Sequence, residues 1–208
     1  MTKKIFFILL LFFSSHFFIQ AQSFEKGKLV AEVGIGLGIY NTYTLDKQNN
    51  SDTTDRAAAL VFPVLVEFGI TNRIGIGGLF KYSNYIEGND SNSTVGVNGF
   101  DFMLRPAFHF LNKNRIDMSL HANLGGTYIS YRDNGITNVQ ATGFAGIFGG
   151  GLDVRMYVSD VFGMFIDYTY NSFSYNNLKL TDNQGTNYFY KIGFNGGNVS
   201  TGFVFKIN

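Results

Sequence analysis

The sequence predicts an all-β fold, an eight-stranded antiparallel up-and-down transmembrane β-barrel. Three observations lead there. Apolar and polar residues alternate with period two along eight separate stretches. The apolar face of those stretches carries no Asp, Glu, Lys or Arg, although 15% of the chain is charged. The connections alternate between long polar segments and tight turns, which is the layout of barrels that cross a membrane. Phe100 to Phe110, FDFMLRPAFHF, shows the pattern most plainly. Phe100, Phe102, Leu104, Pro106, Phe108 and Phe110 share one parity, and Asp101, Met103, Arg105, Ala107 and His109 share the other. A strand sends alternate side chains to opposite faces, so this one has a greasy side and an ionisable side.

Composition narrows the class. The chain has 23 Phe, 12 Tyr and 25 Gly but only 2 Pro, and no Cys or Trp. Aromatic residues favour strands. The lack of cysteine excludes disulfides, thiolate catalysis and thiolate metal sites. Residues 1–21 open with Lys3 and Lys4, continue through the apolar run Ile5 to Phe13 and end at Ala21. That is the order of a secretory signal peptide, broken by Ser14, Ser15 and His16 well before the ~20 apolar residues of a spanning helix. The expectation is a cleaved signal over 1–21 and one barrel domain over 22–208, placed in the cell outer membrane. Without Lys3 and Lys4 the formal charge falls from +1 to −1, and a near-neutral chain argues against a nucleic-acid partner.

The elements follow in order. Strand one is Leu29 to Tyr40, with Leu29, Ala31, Val33, Ile35, Leu37 and Ile39 outward and Glu32 inward. Asn41 to Arg56 reads as a long polar loop. Strand two, Ala59 to Ile70, turns Phe62, Val64, Val66 and Phe68 out and Glu67 in. After the turn Thr71-Asn72-Arg73, strand three runs from Ile74 to Tyr85 with Lys81 inward. Glu87 to Thr94 is a second long loop. Strand four is Phe100 to Phe110, followed by the turn Asn112 to Arg115. Strand five, Ile116 to Tyr131, turns Asp117 and His121 inward. Arg132 to Gln140 is a third loop. Strand six, Thr142 to Val158, faces Asp153 and Arg155 inward, and Ser159-Asp160 turns the chain. Strand seven, Val161 to Tyr170, points Asp167 inward. Asn171 to Asn198 is the longest connection, with Tyr188 to Phe194 open to two readings, an extension of the strands or a separate hairpin. Strand eight is Val199 to Ile207, with Lys206 inward.

A soluble barrel or sandwich would put its apolar parity inside and its charges outside. Here a Lys or Arg on the apolar face would cost about 2–4 kcal/mol at mid-membrane, and none is found there. Tyr40, Tyr82, Tyr128, Tyr168 and Tyr170 are expected to form an interfacial girdle at the outer strand ends. Pro63 and Pro106 each remove a ladder donor inside a predicted strand and are candidates for bulges.

The pattern over Lys28 to Asn208, closed by GFVFKIN, resembles the small eight-stranded outer-membrane barrels of Gram-negative bacteria, the porin-family group that holds the OmpA transmembrane domain and OmpX. The resemblance implies a final strand read by the outer-membrane barrel assembly machinery. It also implies short turns in the periplasm and long loops at the cell surface. Family members commonly end in Phe, where this chain has Asn208.

The ionisable inward residues are the one candidate constellation: Glu32, Glu67, Lys81, Asp101, Arg105, His109, Asp117, His121, Asp153, Arg155, Asp167 and Lys206. Buried charges persist when paired, so a salt-bridged lumen is expected. Eight strands leave an interior just wide enough for side chains, which excludes a wide pore. His109 and His121 alone are too few for a structural metal site. Gly34-Ile35-Gly36-Leu37-Gly38 precedes no helix and is no dinucleotide loop; its glycines suggest a thin inner wall opposite bulky lumen side chains. No catalytic residue, cofactor or metal is expected. The expected role is structural or surface interaction through the long loops, with outer-membrane lipid, the assembly machinery and a surface ligand as partners and a monomeric state. A narrow ion or small-solute channel is the alternative, and a lipid-modifying enzyme ranks below it.

Overall fold

The computed structural model describes residues 23–46, 51–86, 95–133, 140–181 and 187–207. The expected signal peptide, the expected loop Glu87 to Thr94 and Asn208 lie outside the described residues. Eight strands form one closed antiparallel barrel in sequence order: β1 (Leu29–Asp46), β2 (Ser51–Gly69), β3 (Ile74–Ile86), β4 (Val95–Lys113), β5 (Ile116–Asp133), β6 (Gln140–Tyr157), β7 (Phe162–Thr181) and β8 (Asn187–Ile207). β1 pairs with β8 to close the ring, which leaves no exposed sheet edge.

The stagger sets the geometry. From Thr42, ladder partners lead through Phe194, Phe173, Ile147, Gly125, Met103, Leu79 and Leu65 back to β1 at Glu32. The circuit therefore returns ten residues lower, from 42 to 32. With ~3.3 Å per residue and ~4.8 Å between strands, this stagger tilts the strands by about 40°. Each residue then gains ~2.5 Å of height, so the outward apolar run from Leu29 to Ile39 spans about 25 Å, the height of a bilayer-facing band.

That belt is continuous around the ring. Leu37, Phe102, Leu124, Phe148 and Ile166 are among its exposed side chains, and the charged residues of the strands lie either in the bore or beyond the belt's two ends. Inside, small residues make room for large ones. A Cβ on Gly34 would sit 2.7 Å from Phe165 Cζ, and one on Gly75 would collide with the Glu67 carboxyl.

Three tight turns close one end. Thr71 Oγ1 accepts from the backbone N of Arg73 and Ile74, and Ser159 Oγ accepts from Val161 and Phe162. Asn114, at φ 33°, sits in the left-handed region between the paired Lys113 and Ile116, a conformation Asn tolerates better than most residues.

Several sequence expectations need correction. Most of the expected loop Asn41 to Arg56 is ladder: Asn41 pairs with Arg56 and the pairing continues to Asp46 with Ser51. The connection Asn171 to Asn198 is likewise mostly strand, with β7 reaching Thr181 and β8 starting at Asn187; Tyr188 to Phe194 extends β8. The Thr, Tyr and Asn residues there were read as loop because they lack an apolar face. Beyond a belt the outer face of a strand meets water, so the ladder continues without an apolar outward parity; in β7 the apolar parity is the inward one, at Phe173 and Tyr175. Neither proline marks a bulge. The ladder skips Phe62–Pro63 against β1 and Arg105–Pro106 against β5, and the register on either side is unchanged. Tyr40 is not part of the girdle either, for it is fully buried in the bore.

Candidate functional site: a filled, charged bore

The bore is filled in layers from the turn end upward. The lowest layer is a strap, Ser23 to Lys28, which crosses the mouth before β1 begins. Two asparagines clamp it, Asn112 near the end of β4 and Asn72 in the turn after β2. Asn112 Oδ1 accepts from Phe24 N at 3.0 Å and from Ser23 Oγ at 2.6 Å, and Asn112 Nδ2 donates to Phe24 O at 2.6 Å. Asn72 Oδ1 accepts from Lys26 N at 2.9 Å. Gly27, at φ 79°, turns the strap into the barrel and donates to Gly69 O at 2.8 Å. Phe24 drops into the mouth, where it clusters with Val30, Tyr157 and Val204. Its ring lies on the His109 imidazole, with 3.6 Å between centroids and 11° between planes. In the sequence this segment shows one signal, a single large apolar residue, Phe24, among polar ones.

Above the strap lies the ionic layer, centred on Arg155. Its Nε is 2.6 Å from Glu32 Oε1 and 2.9 Å from Asp153 Oδ2. Its Nη2 is 2.5 Å from Glu67 Oε2 and its Nη1 3.2 Å from Asp117 Oδ2. His109 joins two of these carboxylates, with Nε2 2.8 Å from Glu67 Oε1 and Nδ1 2.8 Å from Asp117 Oδ1. Each contact needs one proton between its two atoms, which a doubly protonated ring supplies.

A second guanidinium continues the network. Arg105 Nη2 is 2.8 Å from Asp167 Oδ2, 3.5 Å from Asp153 Oδ2 and 3.0 Å from His121 Nδ1. Because Arg only donates, His121 Nδ1 accepts, and its Nε2–H faces Thr169 Oγ1 at 3.1 Å. Thr169 then donates to Asp167 Oδ1 at 2.7 Å. His109 and His121 thus serve separate sets of partners. Lys81 and Asp101, opposite each other on β3 and β4, form their own buried pair at 3.0 Å.

Between ions and roof remains a cavity of about 10 Å³, bordered by Leu65, Lys81, Arg105 and Asn171, room for about one water. The roof is aromatic. Phe173 and Phe194 stack at 4.9 Å, Tyr85 lies 5.3 Å from Phe194, and Tyr40 lies 5.8 Å from Tyr85. Tyr175 OH meets Thr127 Oγ1 at 2.9 Å. The sequence does not show this roof: Phe173 and Tyr175 fall in the expected connection, and Phe194 in the stretch open to two readings.

Of the candidate residues, all but Lys206 are buried in the bore. Lys206 stands at the turn-end mouth, half-buried, with Nζ 4.2 Å above the Tyr157 ring. There its long stem covers apolar surface at the mouth. Among the described residues, no group of three or more His, Cys, Asp or Glu is arranged to hold a metal ion. Where His109, Glu67 and Asp117 converge, the guanidinium of Arg155 already occupies the space.

A closed ring of eight antiparallel strands, apolar outside and ionic within, is the fold of the small outer-membrane β-barrels. Solved structures agree. The chain superposes on the outer membrane protein OprG from Pseudomonas aeruginosa with a TM-score of 0.55 and 9% identity, covering 89% of this chain and 98% of that one. It superposes on the outer membrane protein AlkL, solved in lipid bilayers, with a TM-score of 0.57 and 15% identity, covering 89% and 92%. At these identities the likeness is one of fold. No family model and no curated protein sequence matches the chain.

Proposed function

We propose that the chain is an integral outer-membrane protein with a sealed bore, acting at the cell surface through the wall that β7, β8, β1 and β2 raise beyond the apolar belt. The observation that carries this reading is the filling of the bore: strap, ionic layer and aromatic roof lie one above another, and the cavity between the last two has room for about one water. A barrel so filled has its accessible chemistry on its rims. The turn end, with the strap, is assigned to the periplasm and the raised wall to the outside, after removal of a signal peptide. GFVFKIN is the segment offered to the assembly machinery, and the finer kinship is to the OmpA transmembrane domain and OmpX. The protein is proposed to be monomeric and non-catalytic, since both histidines are engaged within the bore.

Labelling tests the reading. An amine reagent that does not cross membranes should modify Lys179 and Lys191 on intact cells, and Lys113 only after permeabilisation. The purified, refolded protein should hold a planar bilayer without steady current. Lys113 labelled on intact cells would overturn the orientation, and steady current would overturn the seal.

One observation favours a second reading. Glu32, Glu67, Asp117, Asp153 and Asp167 surround only two guanidinium groups, Arg105 and Arg155. This excess of carboxylates suits a narrow cation path that opens when partners exchange. Cation-selective current, raised in Arg105→Gln, would establish that alternative.

A further inference from the structure

Among the described residues, the longest gap in the ladder lies between β6 and β7. Pairing is intact at Thr142 with Lys179 and again at Ile147 with Phe173, but Gly143 to Gly146 have no partner in β7. β7 carries one extra residue here, since its pairing with β8 also shifts between Tyr175 and Leu178. The break leaves a cavity of about 280 Å³, lined by Gly143, Phe144, Ala145, Gly146, Ser174, Tyr175 and Asn176.

Its height makes it informative. The ten-residue stagger shared by eight strands shifts equal heights by about 1.25 residues per strand. On that scale Ile39, Phe100, Tyr128 and Phe144 come within ~6 Å of one level, the outer edge of the belt, and the opening lies within ~10 Å outside it. Unpaired backbone groups are too costly to face hydrocarbon but are tolerated where polar groups can reach them. At this level a membrane supplies both, the ester and head groups of its lipids and the upper carbons of their chains.

The lining matches that mixture. Polar groups come from the β7-facing side of the Gly143 to Gly146 backbone, whose other side pairs with β5, from Ser174 Oγ, which is buried without a hydrogen-bond partner, and from Asn176. Apolar surface comes from Tyr175, buried on the inner side, and from Phe144, which at 72% is the most exposed large apolar side chain among the described residues. A Cβ on Gly146 would meet nothing within 4 Å.

We propose that this window is a binding site for one membrane lipid. The lipid's glycerol–ester region lies against the open backbone and Ser174, and its upper acyl carbons lie against Phe144 and Tyr175. The proposal rests on the membrane reading above.

The chain contains no tryptophan, so a single introduced one reports alone. Tyr175→Trp and Phe148→Trp would each be reconstituted in phosphatidylcholine vesicles brominated high on the acyl chain. Phe148 is on the open belt and reports the membrane itself. The expected result is quenching of both probes, with that of Tyr175→Trp lost when Gly146→Phe is added to fill the window. Quenching at Phe148→Trp with none at Tyr175→Trp would overturn the lipid site and leave the membrane reading standing. Quenching at neither would overturn both. A second measurement covers a Tyr175→Trp chain that does not fold. Native mass spectrometry of the parent protein should find one phosphatidylcholine retained after detergent exchange and lost in Gly146→Phe. Equal retention by the two would overturn the proposal.

Discussion

The ring of Phe24 lies flat against the imidazole of His109, 3.6 Å between centroids, although 85 positions separate them in the chain. One contact thereby joins the strap to the ionic layer. The face of His109 is covered by an aromatic ring while both its nitrogens are held by carboxylates.

Phe24→Ala should release the strap and leave the barrel closed by its own ladder. Removing a buried Phe costs about 3–5 kcal/mol in a packed core, but here the cost should fall on the strap alone. Hydrogen exchange at the amides of Phe24, Lys26 and Gly27 should quicken strongly, while the β1 amides from Val30 onward keep their protection. Unchanged exchange at the strap would mean that Asn72 and Asn112 hold it without the ring.

Arg155→Met should be the most damaging single change in the bore. It removes the shared partner of Glu32, Glu67, Asp117 and Asp153. Breaking a buried pair by removing one member costs about 3–5 kcal/mol, because the remaining charge stays desolvated. Equilibrium urea unfolding in detergent micelles measures the loss. Adding Glu67→Gln should restore part of it, and an additive double variant would show that the two groups are not coupled.

Ile35→Arg tests the belt. Ile35 is exposed near the middle of the outward run of β1. An arginine there should cost about 2–4 kcal/mol in lipid, read from the refolding equilibrium in vesicles. The same substitution at Tyr43, on the same parity but beyond the belt, should cost little. Equal costs at the two positions would contradict a belt ending near Ile39.

Gly34→Leu tests the thin inner wall. A Cβ at this position would lie 2.6 Å from Thr201 O and 2.7 Å from Phe165 Cζ. Backbone on one side and a fully buried ring on the other leave little room to yield. Overpacking of this kind costs about 1–3 kcal/mol, and Phe165→Ala in the same chain should relieve the part due to the ring. Thermal or urea unfolding of the single and double variants reads both effects.

Much of the barrel was legible from the chain because its signals are local. Phe100 to Phe110 alternates within eleven consecutive residues, and every one of them takes the face its parity assigns. The turns at Thr71 and Ser159 lie where small polar residues interrupt that alternation. Legibility failed at the belt's outer edge. Asn41 to Asp46 and Asn171 to Thr181 are strands whose outward face has no lipid to demand an apolar parity. The roof built by Phe173, Tyr175 and Phe194 was hidden along with them.

The chain by itself determined the eight strands within the belt, the face each belt side chain takes and the absence of charge from the belt's outer surface. All follow from a two-residue period acting between neighbours and from the cost of an ion in lipid. Tertiary structure decided the partners. Arg155 meets Glu32 across 123 positions of sequence and Glu67 across 88, and Asn112 clamps Phe24 across 88. Those meetings depend on the ten-residue stagger of the closed ring, which sets the height at which each strand delivers its charge. The stagger arises when the last strand pairs with the first, so no single stretch of sequence carries it.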